Sequence, residues 1–218
     1  MSKVLIIGAH GKVALQAAPR LAAAGHEVSG VIRKEEQSDD LRAAQATPVV
    51  ADVEHLSTDE IAEVMRGFDT VVWSAGAGGG SPERTWAVDR DAAIRAVDAA
   101  AQGDPSRFVM VSYFGAGPDH GVPEDNDFYA YAQAKTEADA HLQAADLDWT
   151  ILQPSALTDD DAGVHGIEMG DGVEAGEVPR SVVAGMIAAV VERPGATTRR
   201  VLAFNGGERS IDEVLTPG

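Results

Sequence analysis

The chain contains no cysteine, few lysines and no long apolar run. The absence of cysteine excludes disulfides, thiolate metal ligands and cysteine nucleophiles, and nothing indicates an oxidising compartment. The longest apolar run, residues 182–191, is too short to cross a bilayer. Residues 1–7 lack a basic region followed by a long apolar core, so they do not resemble a signal peptide. We therefore expect a soluble, cytoplasmic protein.

Positive charge is scarce as well. Asp and Glu number 35 against 17 Lys and Arg, and the formal net charge is −18. Such a surface repels phosphate backbones and anionic lipid, which argues against a nucleic-acid or membrane-binding role. What the chain does have is 218 residues, of which 44% are hydrophobic, enough to bury one core and too apolar for a disordered chain.

Short apolar, β-branched runs alternate with alanine-rich stretches along the chain. They predict strands at residues 4–7, 28–32, 48–51, 69–73, 107–111, 149–152 and 201–204, and helices at 12–24, 58–66, 87–101, 128–145 and 182–191. Pro154 is expected to stop the sixth strand. Alternation of this kind predicts parallel strands joined by right-handed crossovers, which is a doubly wound α/β sheet.

The loop after the first predicted strand carries the first chemical signal. A glycine-rich loop between a strand and a helix is the context that phosphate binding requires. Gly8 permits a tight turn, Gly11 lets the backbone approach a pyrophosphate, and Ala14 allows close packing of the helix. The helix N-terminus supplies free amides, among them those of His10 and Lys12, and partial positive charge. The candidate cofactor residues of this loop are Gly8, His10, Gly11, Lys12 and Val13. A plain structural turn is the alternative.

The end of the second predicted strand indicates which cofactor is bound. Proteins that select NAD usually place an acid there for the ribose 2′-hydroxyl, whereas a basic residue accommodates a 2′-phosphate. Here the strand ends in Arg33 and Lys34, two adjacent cations in an acidic chain. The pair favours NADP(H) over NAD(H). The alternative is that both residues belong to an ordinary polar loop.

Further motifs extend over nearly the whole chain. They are Ala51-Asp52-Val53, Ser74-Ala75-Gly76, Val88-Asp89, Val111-Ser112, Tyr131-Ala132-Gln133-Ala134-Lys135 and Thr150-Ile151-Leu152-Gln153-Pro154. With these motifs the sequence resembles the atypical, extended-like branch of the short-chain dehydrogenase/reductase superfamily. That branch contains small NAD(P)H-binding proteins akin to flavin reductases and NmrA-type sensors. The resemblance implies a Rossmann-type, doubly wound parallel sheet forming a single NAD(P)-binding domain over residues 1–218. It leaves only a very small C-terminal substrate region, about residues 154–218.

The resemblance also implies cofactor contacts. Residues 52–53 would contact the adenine, residues 74–76 would line the ribose and phosphates, and Pro154 would lie near the nicotinamide. The cofactor-binding residues implied in this way are Asp52, Val53, Ser74, Ala75, Gly76 and Pro154. The chain departs from the family where Gln153-Pro154-Ser155 replaces the frequent Arg-Pro-Gly, and its short substrate extension implies a small or open pocket.

Three residues are implied as catalytic by the same resemblance. Tyr131 and Lys135 are one helical turn apart and face the same side of their helix. Tyr131 would exchange a proton with the substrate oxygen, while Lys135 would bind the nicotinamide ribose and lower the pKa of the phenol. Ser112 would orient the substrate by hydrogen bonding. The alternative is that Tyr-x-x-x-Lys occurs by accident, with Tyr129 as a competing aromatic residue.

The other polar residues give weaker signals. The five remaining histidines are scattered with no carboxylate at metal-ligand spacing, so we expect no metal site: His26, His55, His120, His141 and His165. Residues 159–161 are interpreted as an exposed acidic loop, and residues 78–80 as a flexible loop beside the cofactor. The irregular segment 159–179 is the best candidate for a mobile loop over a site.

These observations predict an NADP(H)-dependent oxidoreductase that transfers hydride to a small carbonyl, quinone or flavin-like acceptor. The alternative from another class is a redox-sensing regulator that binds NADPH without turnover. Sugar epimerisation is less favoured because it would need a larger nucleotide-sugar domain than this chain can hold. A small-molecule substrate is the only partner that the sequence implies.

Overall fold

The computed structural model describes residues 1–79, 81–159, 165–170 and 172–216. The strands in this part of the chain are β1 (Lys3–Ile7), β2 (Glu27–Ile32), β3 (Thr47–Val50), β4 (Thr70–Trp73), β5 (Arg107–Val111), β6 (Asp148–Pro154), β7 (Ala156–Thr158), β8 (Gly166–Glu168), β9 (Glu177–Pro179) and β10 (Arg200–Gly207). Eight of them form one sheet in the order β3-β2-β1-β4-β5-β6-β10-β8. Its neighbours pair in parallel except β10 and β8, which are antiparallel, and β7 and β9 form a separate parallel pair.

Helices cover both faces of the main sheet. They are α1 (Ala14–Ala23), α2 (Ser38–Ala43), α3 (Thr58–Met65), α4 (Pro82–Thr85), α5 (Ala93–Gln102), α6 (Tyr129–Ala144), α7 (Arg180–Glu192), α8 (Pro194–Thr197) and α9 (Ile211–Leu215), with a 3₁₀ turn at Glu35–Gln37 and a π-helical segment at Trp86–Ala92. Helices α1 and α7 pack together on one face, and α3, α5 and α6 lie on the other. None of the helices in the described ranges is both long and apolar enough to span a membrane.

The alternation of side chains in β1 shows how the two cores form. Val4 and Ile6 point to the core beneath α1 and α7, whereas Leu5 and Ile7 point to the core beneath α3 and α5. All four are at most 1% exposed. A strand of a parallel sheet is buried on both faces, which is why its sequence is continuously apolar rather than alternating. The predicted doubly wound α/β fold is therefore confirmed.

The strand order creates a crevice at the carboxyl ends of the central strands of the sheet. The chain runs from β1 outward through β2 to β3, then returns to the other side of β1 and continues through β4, β5 and β6. The loops after β1 and β4 thus leave in opposite directions and open a space at the carboxyl ends of these strands. In open α/β sheets this switch point is where ligands bind.

Several element boundaries differ from the sequence predictions. The first helix begins at Ala14 rather than at residue 12, and the helix predicted at 87–101 begins as the π-helical segment. The sixth strand ends at Pro154 as predicted, but it extends two residues past the predicted end at residue 152 and includes the proline itself. Pro154 occupies the last ladder position opposite Phe204, where no N–H is needed, and its carbonyl accepts a hydrogen bond from the Phe114 amide over 2.8 Å.

The segment predicted as irregular is partly regular. It contains β8 and β9, and β8 extends the main sheet as an antiparallel edge strand. Asp160 and Asp161 of the predicted acidic loop, and Gly80 of the glycine loop, lie outside the described residues.

Candidate functional site

The glycine loop after β1 turns directly into α1. Gly8 has a φ of +83°, which side chains disfavour, and the Ala9 amide donates to the Val31 carbonyl over 3.1 Å. The Gly11 amide donates back to the Gly8 carbonyl over 3.0 Å, and the Leu15 amide donates to the Gly11 carbonyl over 2.9 Å. The tight turn expected at Gly8 is present.

The turn leaves backbone amides free at the start of α1. Within the described parts of the chain, no group accepts a hydrogen bond from the amides of Lys12, Val13 or Ala14. The first amides of a helix lack partners in the preceding turn and carry partial positive charge. Three such donors beside a glycine turn can donate hydrogen bonds to an anion, such as a pyrophosphate.

A cleft of about 390 Å³ opens next to this loop, at the carboxyl ends of β1, β2 and β4. Of the residues predicted from sequence, it is lined by Gly8, His10, Gly11, Arg33, Asp52, Val53, Ser74, Ala75 and Gly76. The predicted cofactor residues that do not line it are Lys12, Val13, Lys34, Lys135 and Pro154, and the predicted catalytic residues Ser112 and Tyr131 do not line it either. The cleft thus unites most of the predicted cofactor residues but not the implied catalytic ones. A volume of this size accommodates part of a dinucleotide.

The cleft also contains residues that sequence reasoning missed. Arg84 donates to the Ala77 carbonyl over 2.8 Å and approaches Glu54 at 3.4 Å, so it closes the cleft next to residues 76–79. Gln37 lines the opposite side. Gln37 follows the end of β2 closely and could have been suspected from that position. Arg84 lies in a four-residue helix, and no local pattern indicates that it folds back onto the loop.

The two cations after β2 are Arg33 and Lys34. Arg33 lines the cleft, and Arg33 and Lys34 are both exposed. Neither side chain forms an ion pair with a described carboxylate. His10 faces the same region, and its ring nitrogens contact Asp40 at 2.8 Å and Gln37 at 3.1 Å. The imidazole is thus held by neighbouring side chains, whereas the guanidinium is available to a ligand.

Lys12 directs its side chain away from the cleft. Its ammonium donates to Asp159 over 2.8 Å, and Asp159 also accepts from Arg180 over 2.8 Å. The hydrogen bond from Lys12 is the largest cause that lowers the pKa of Asp159. The glycine loop is thereby joined to the segment that precedes α7.

Asp89 supports the floor of the site from the π-helical segment. It is 1% exposed, and its Oδ2 accepts from the Ala77 amide over 2.9 Å. A Cβ on Gly76 would lie 2.9 Å from Asp89 Oδ1, so a side chain there would displace the carboxylate. Burial raises the pKa of Asp89, while Lys135 and the Ala77 amide oppose that rise. The motif Val88-Asp89 is visible in the sequence, but only the fold shows that Asp89 holds the loop after β4 through the Ala77 amide.

Lys135 and Ser112 are both buried behind the cleft. Lys135 is 1% exposed, and its ammonium donates to the Val111 carbonyl over 2.7 Å. Its two other hydrogens have no acceptor among the described residues. Ser112 is 4% exposed and donates to Asp139 over 2.6 Å. The structure therefore brings the serine and the lysine to the same end of β5.

Tyr131 is partly buried beside two other rings. The centroid of Tyr131 lies 5.5 Å from that of Tyr113 and 5.2 Å from that of Phe128. Its hydroxyl forms no hydrogen bond with any residue that the structure describes, so it is available to a ligand. Tyr129, the competing aromatic residue, packs instead on His120 with centroids 5.9 Å apart.

Burial and neighbouring carboxylates govern the pKa of Tyr131, and Lys135 is not among the causes of its shift. The pKa of Tyr131 is raised, chiefly by burial and then by the negative charges of Asp89 and Asp139. Lys135 does not reverse this, because its ammonium is bound to the Val111 carbonyl and two carboxylates oppose its charge. Tyr131 therefore remains a neutral phenol well above neutral pH.

The residues around Pro154 hold the loop that follows β5. Gln153, where the family often has arginine, donates to the Ala116 carbonyl over 2.9 Å and approaches Asp139 at 3.3 Å. Ser155 is hydrogen-bonded to Asn205 and to the Gly176 amide. Pro154 is buried between these anchors. Over the residues that the structure describes, no cluster of three or more His, Asp or Glu could hold a metal ion.

Comparisons with known proteins agree with this architecture. Residues 8–194 match the sequence model of a family described as NAD(P)H-binding. A Bacillus subtilis (strain 168) protein named uncharacterized sugar epimerase YhfK is 33% identical over 220 residues, covering 98% of each chain. A Bacillus halodurans structure, provisionally described as an NAD-dependent epimerase/dehydratase, has a TM-score of 0.89 and 29% identity over 99% of both chains. The structure of the oxidoreductase ylbE from Lactococcus lactis has a TM-score of 0.84 and 27% identity, covering 98% of this chain and 94% of that one.

Proposed function

Because the chain belongs to the NAD(P)H-binding family, we propose that it is a reductase that uses NADPH to transfer hydride to a small acceptor. One observation carries the proposal: backbone amides without acceptors lie at the start of α1, next to the cleft. This cleft is at the switch point between β1 and β4. When bound, the cofactor supplies two electrons as hydride, and the acceptor gains that hydride together with one proton. The chain's residues bind the cofactor, orient the acceptor and supply its proton.

The choice of NADPH rests on Arg33. Its guanidinium lines the cleft, is exposed, and has no ion pair within the described residues. In a chain of net charge −18, a cation left unpaired at the end of β2 is suited to a 2′-phosphate, which it can bind through two parallel hydrogen bonds. Lys34 follows directly and adds positive charge at the same rim.

The implied catalytic residues have distinct tasks in this proposal. Lys135 offers the two unused hydrogens of its ammonium to the nicotinamide ribose. The free hydroxyl of Tyr131 donates a hydrogen bond to the acceptor and supplies the proton when the acceptor is a carbonyl. Ser112 binds the group that lies beyond the end of β5. Pro154 and its neighbours form the wall on the nicotinamide side.

The aromatic residues favour a planar acceptor. Tyr113, Phe128 and Tyr131 form a cluster with centroids 5.2 to 5.5 Å apart, and Phe128 is 45% exposed. Such rings offer a flat apolar surface for stacking. A quinone or flavin-like ring fits this surface better than a polyhydroxylated sugar. Such acceptors can also take their proton from water, so they tolerate a phenol whose pKa is raised.

Two other functions make different predictions. The names of the Bacillus subtilis and Bacillus halodurans proteins suggest epimerisation, in which the cofactor is regenerated within each turnover and no external acceptor is consumed. A redox sensor would bind NADPH tightly and oxidise it with no acceptor. Net oxidation of NADPH therefore separates the proposed reductase from both.

The test is to follow NADPH oxidation by absorbance with carbonyl, quinone and flavin acceptors, using the parent protein and the Gly11→Val variant. Gly11 is exposed, and a Cβ there would lie 3.2 Å from the Gly8 carbonyl oxygen, a tight contact that a small shift of the loop relieves, so the variant should fold; its branched side chain then occupies the space needed by a pyrophosphate. We expect turnover in the parent and neither turnover nor calorimetric NADPH binding in the variant. Undiminished NADPH affinity in the folded variant would contradict the binding site. Tight binding without turnover of any acceptor would favour the sensor.

A further inference from the structure

A buried carboxylate lies behind the Ser112 hydroxyl. Asp139 is in α6, one helical turn after Lys135, and is 3% exposed. Ser112 Oγ donates to Asp139 Oδ2 over 2.6 Å, a hydrogen bond between two buried side chains. Hydride transfer to an acceptor does not by itself require a carboxylate at this place.

Little else in the structure stabilises that carboxylate. Gln153 donates to the same oxygen over 3.3 Å, and Asp139 Oδ1 has no hydrogen-bond partner in the described parts of the chain. Burial raises the pKa of Asp139, and Lys135, Ser112 and Gln153 offset that rise only in part. A buried carboxylate with one unpaired oxygen opposes folding. Stability therefore does not explain why Asp139 is there.

The hydrogen bond determines what Ser112 can offer to a ligand. A serine hydroxyl has one hydrogen and two acceptor lone pairs. With its hydrogen directed to Asp139, Ser112 has only lone pairs left for a bound molecule. We infer that Asp139 is a positioning residue that fixes Ser112 as a hydrogen-bond acceptor, so that the group bound by Ser112 carries an N–H or O–H.

This inference rests on the proposed function, because that function assigns Ser112 to the place where cofactor and acceptor meet. Two molecules could supply the donor. One is the carboxamide of the nicotinamide ring, and the other is a ring N–H or a hydroxyl of the acceptor. Both have the same chemistry, and binding and kinetic measurements distinguish them.

The test is a double-mutant cycle with Ser112→Ala, Asp139→Leu and the double variant, measuring NADPH affinity, kcat and KM. Each single substitution should lower affinity or turnover roughly ten- to a hundredfold, as for loss of a hydrogen bond to a charged group. The double variant should be no worse than Ser112→Ala, because Asp139 acts through Ser112. Coupling in NADPH affinity identifies the carboxamide as the donor, and coupling in kcat or KM identifies the acceptor.

Three further measurements separate positioning from a structural role. In the Ser112→Ala background, Asp139→Leu should keep or raise the Tm, since it removes a buried charge and leaves no serine hydroxyl without an acceptor, while Gln153 keeps the Ala116 carbonyl. Asp139→Asn keeps an acceptor oxygen of the same shape and should recover part of the functional loss of Asp139→Leu; it replaces Asp139→Leu in the cycle if the latter does not fold. Glu137→Gln is the matched control. It removes one charge from the same helix, where Glu137 contacts Arg90 and Gln133, and it should behave as the parent.

The results also separate this inference from the proposed function. Turnover in the parent with additive losses in the cycle, or with Asp139→Leu at the parent's NADPH affinity, kcat and KM, would overturn the role of Asp139 and leave the reductase intact. If the parent turns over no acceptor, the reductase is wrong. The cycle in NADPH affinity then decides alone, and equal affinities in all variants overturn the role of Asp139 as well.

Discussion

Gly8 and Ala75 approach so closely that a Cβ on Gly8 would lie 2.5 Å from the Ala75 Cα and 2.6 Å from its amide nitrogen. The contact joins the loops that follow β1 and β4, the two strands at the switch point of the sheet. Gly8 is thus required twice, once for its φ of +83° and once because backbone occupies the place of a side chain.

Replacing Gly8 should therefore lower the free energy of unfolding by more than its positive φ alone would predict. We expect Gly8→Ala to lower the free energy of unfolding by about 3 kcal/mol or more, from a left-handed conformation and a backbone clash together. Gly25→Ala is the matched control, because Gly25 has a φ of +89° and no atom lies within 4 Å of the place that a Cβ would occupy. It should cost only about 1 kcal/mol. Denaturant unfolding measures both, and equal losses would show that the contact with Ala75 yields without strain.

Cofactor preference should depend on Arg33. The parent should bind NADPH at least about tenfold tighter than NADH, roughly 1.4 kcal/mol, which is modest for a charge-assisted phosphate contact. Arg33→Asp should reduce or reverse that ratio, since the acid repels a 2′-phosphate and can accept from a 2′-hydroxyl. Arg42→Asp makes the same change of charge at an exposed residue of α2 outside the cleft and should leave the ratio near its parent value. Calorimetric titration gives the affinities, and equal parent affinities for the two cofactors would contradict the assignment.

The role of Tyr131 depends on the acceptor. Tyr131→Phe removes only the hydroxyl, so NADPH affinity should stay nearly unchanged. With a carbonyl acceptor, turnover should fall by roughly 10²- to 10⁴-fold, the usual contribution of a positioned general acid. With a quinone or flavin acceptor the substitution should have little effect, because the proton can come from water. Lys135→Ala should weaken NADPH binding in both cases. Steady-state rates with each acceptor provide the measurement, and carbonyl turnover untouched by Tyr131→Phe would exclude Tyr131 as the acid.

The buried Arg107 should be important for stability and not for binding. Its guanidinium donates to the Thr150 hydroxyl over 2.7 Å, to the Thr197 hydroxyl over 3.0 Å and to the Val190 carbonyl over 3.1 Å, and burial lowers its pKa to about 10. Arg107→Met strands these buried acceptors and should lower the free energy of unfolding by about 3 kcal/mol.

Arg66→Met serves as the control for Arg107. Arg66 is exposed and pairs only with Glu63 among the described carboxylates, so its loss should change the free energy of unfolding by less than about 1 kcal/mol. Thermal unfolding and NADPH titration of both variants check the prediction. Similar stability losses in the two, or weakened NADPH binding by Arg107→Met, would show that Arg107 has another role.

Most of the sheet could be predicted because its signals are local. The run at residues 4–7 is apolar at every position, as a strand buried on both faces must be, and the glycine loop follows it directly. The short elements were missed for the opposite reason. Helix α2 has only six residues and β8 only three, and β8 is a strand only because it pairs with β10. Neither is long enough to show a period of its own.

The residues of the candidate site likewise divide into those that local sequence predicts and those that only folding brings together. Gly8, Gly11 and Arg33 could be found from sequence, because each follows a strand whose end is visible in the pattern. Asp139 and Arg84 could not, since their partners Ser112 and Ala77 are brought to them only by folding. Tyr131 and Lys135, two of the three implied catalytic residues, were predicted from a motif, but the motif did not reveal that burial and two carboxylates raise the pKa of the phenol.

The sequence by itself determined the alternating strands and helices, the glycine turn after β1 and the cations at the end of β2, because these depend on residues adjacent in the chain. Only the tertiary structure decided which side chains meet at the carboxyl ends of β1, β4 and β5 and in which direction burial and neighbouring charges shift the pKa values of Asp89, Tyr131 and Asp139. Hydrogen bonds, burial and Coulomb interactions act over a few ångströms of space, and Ser112 and Asp139 are 2.6 Å apart although 27 residues separate them.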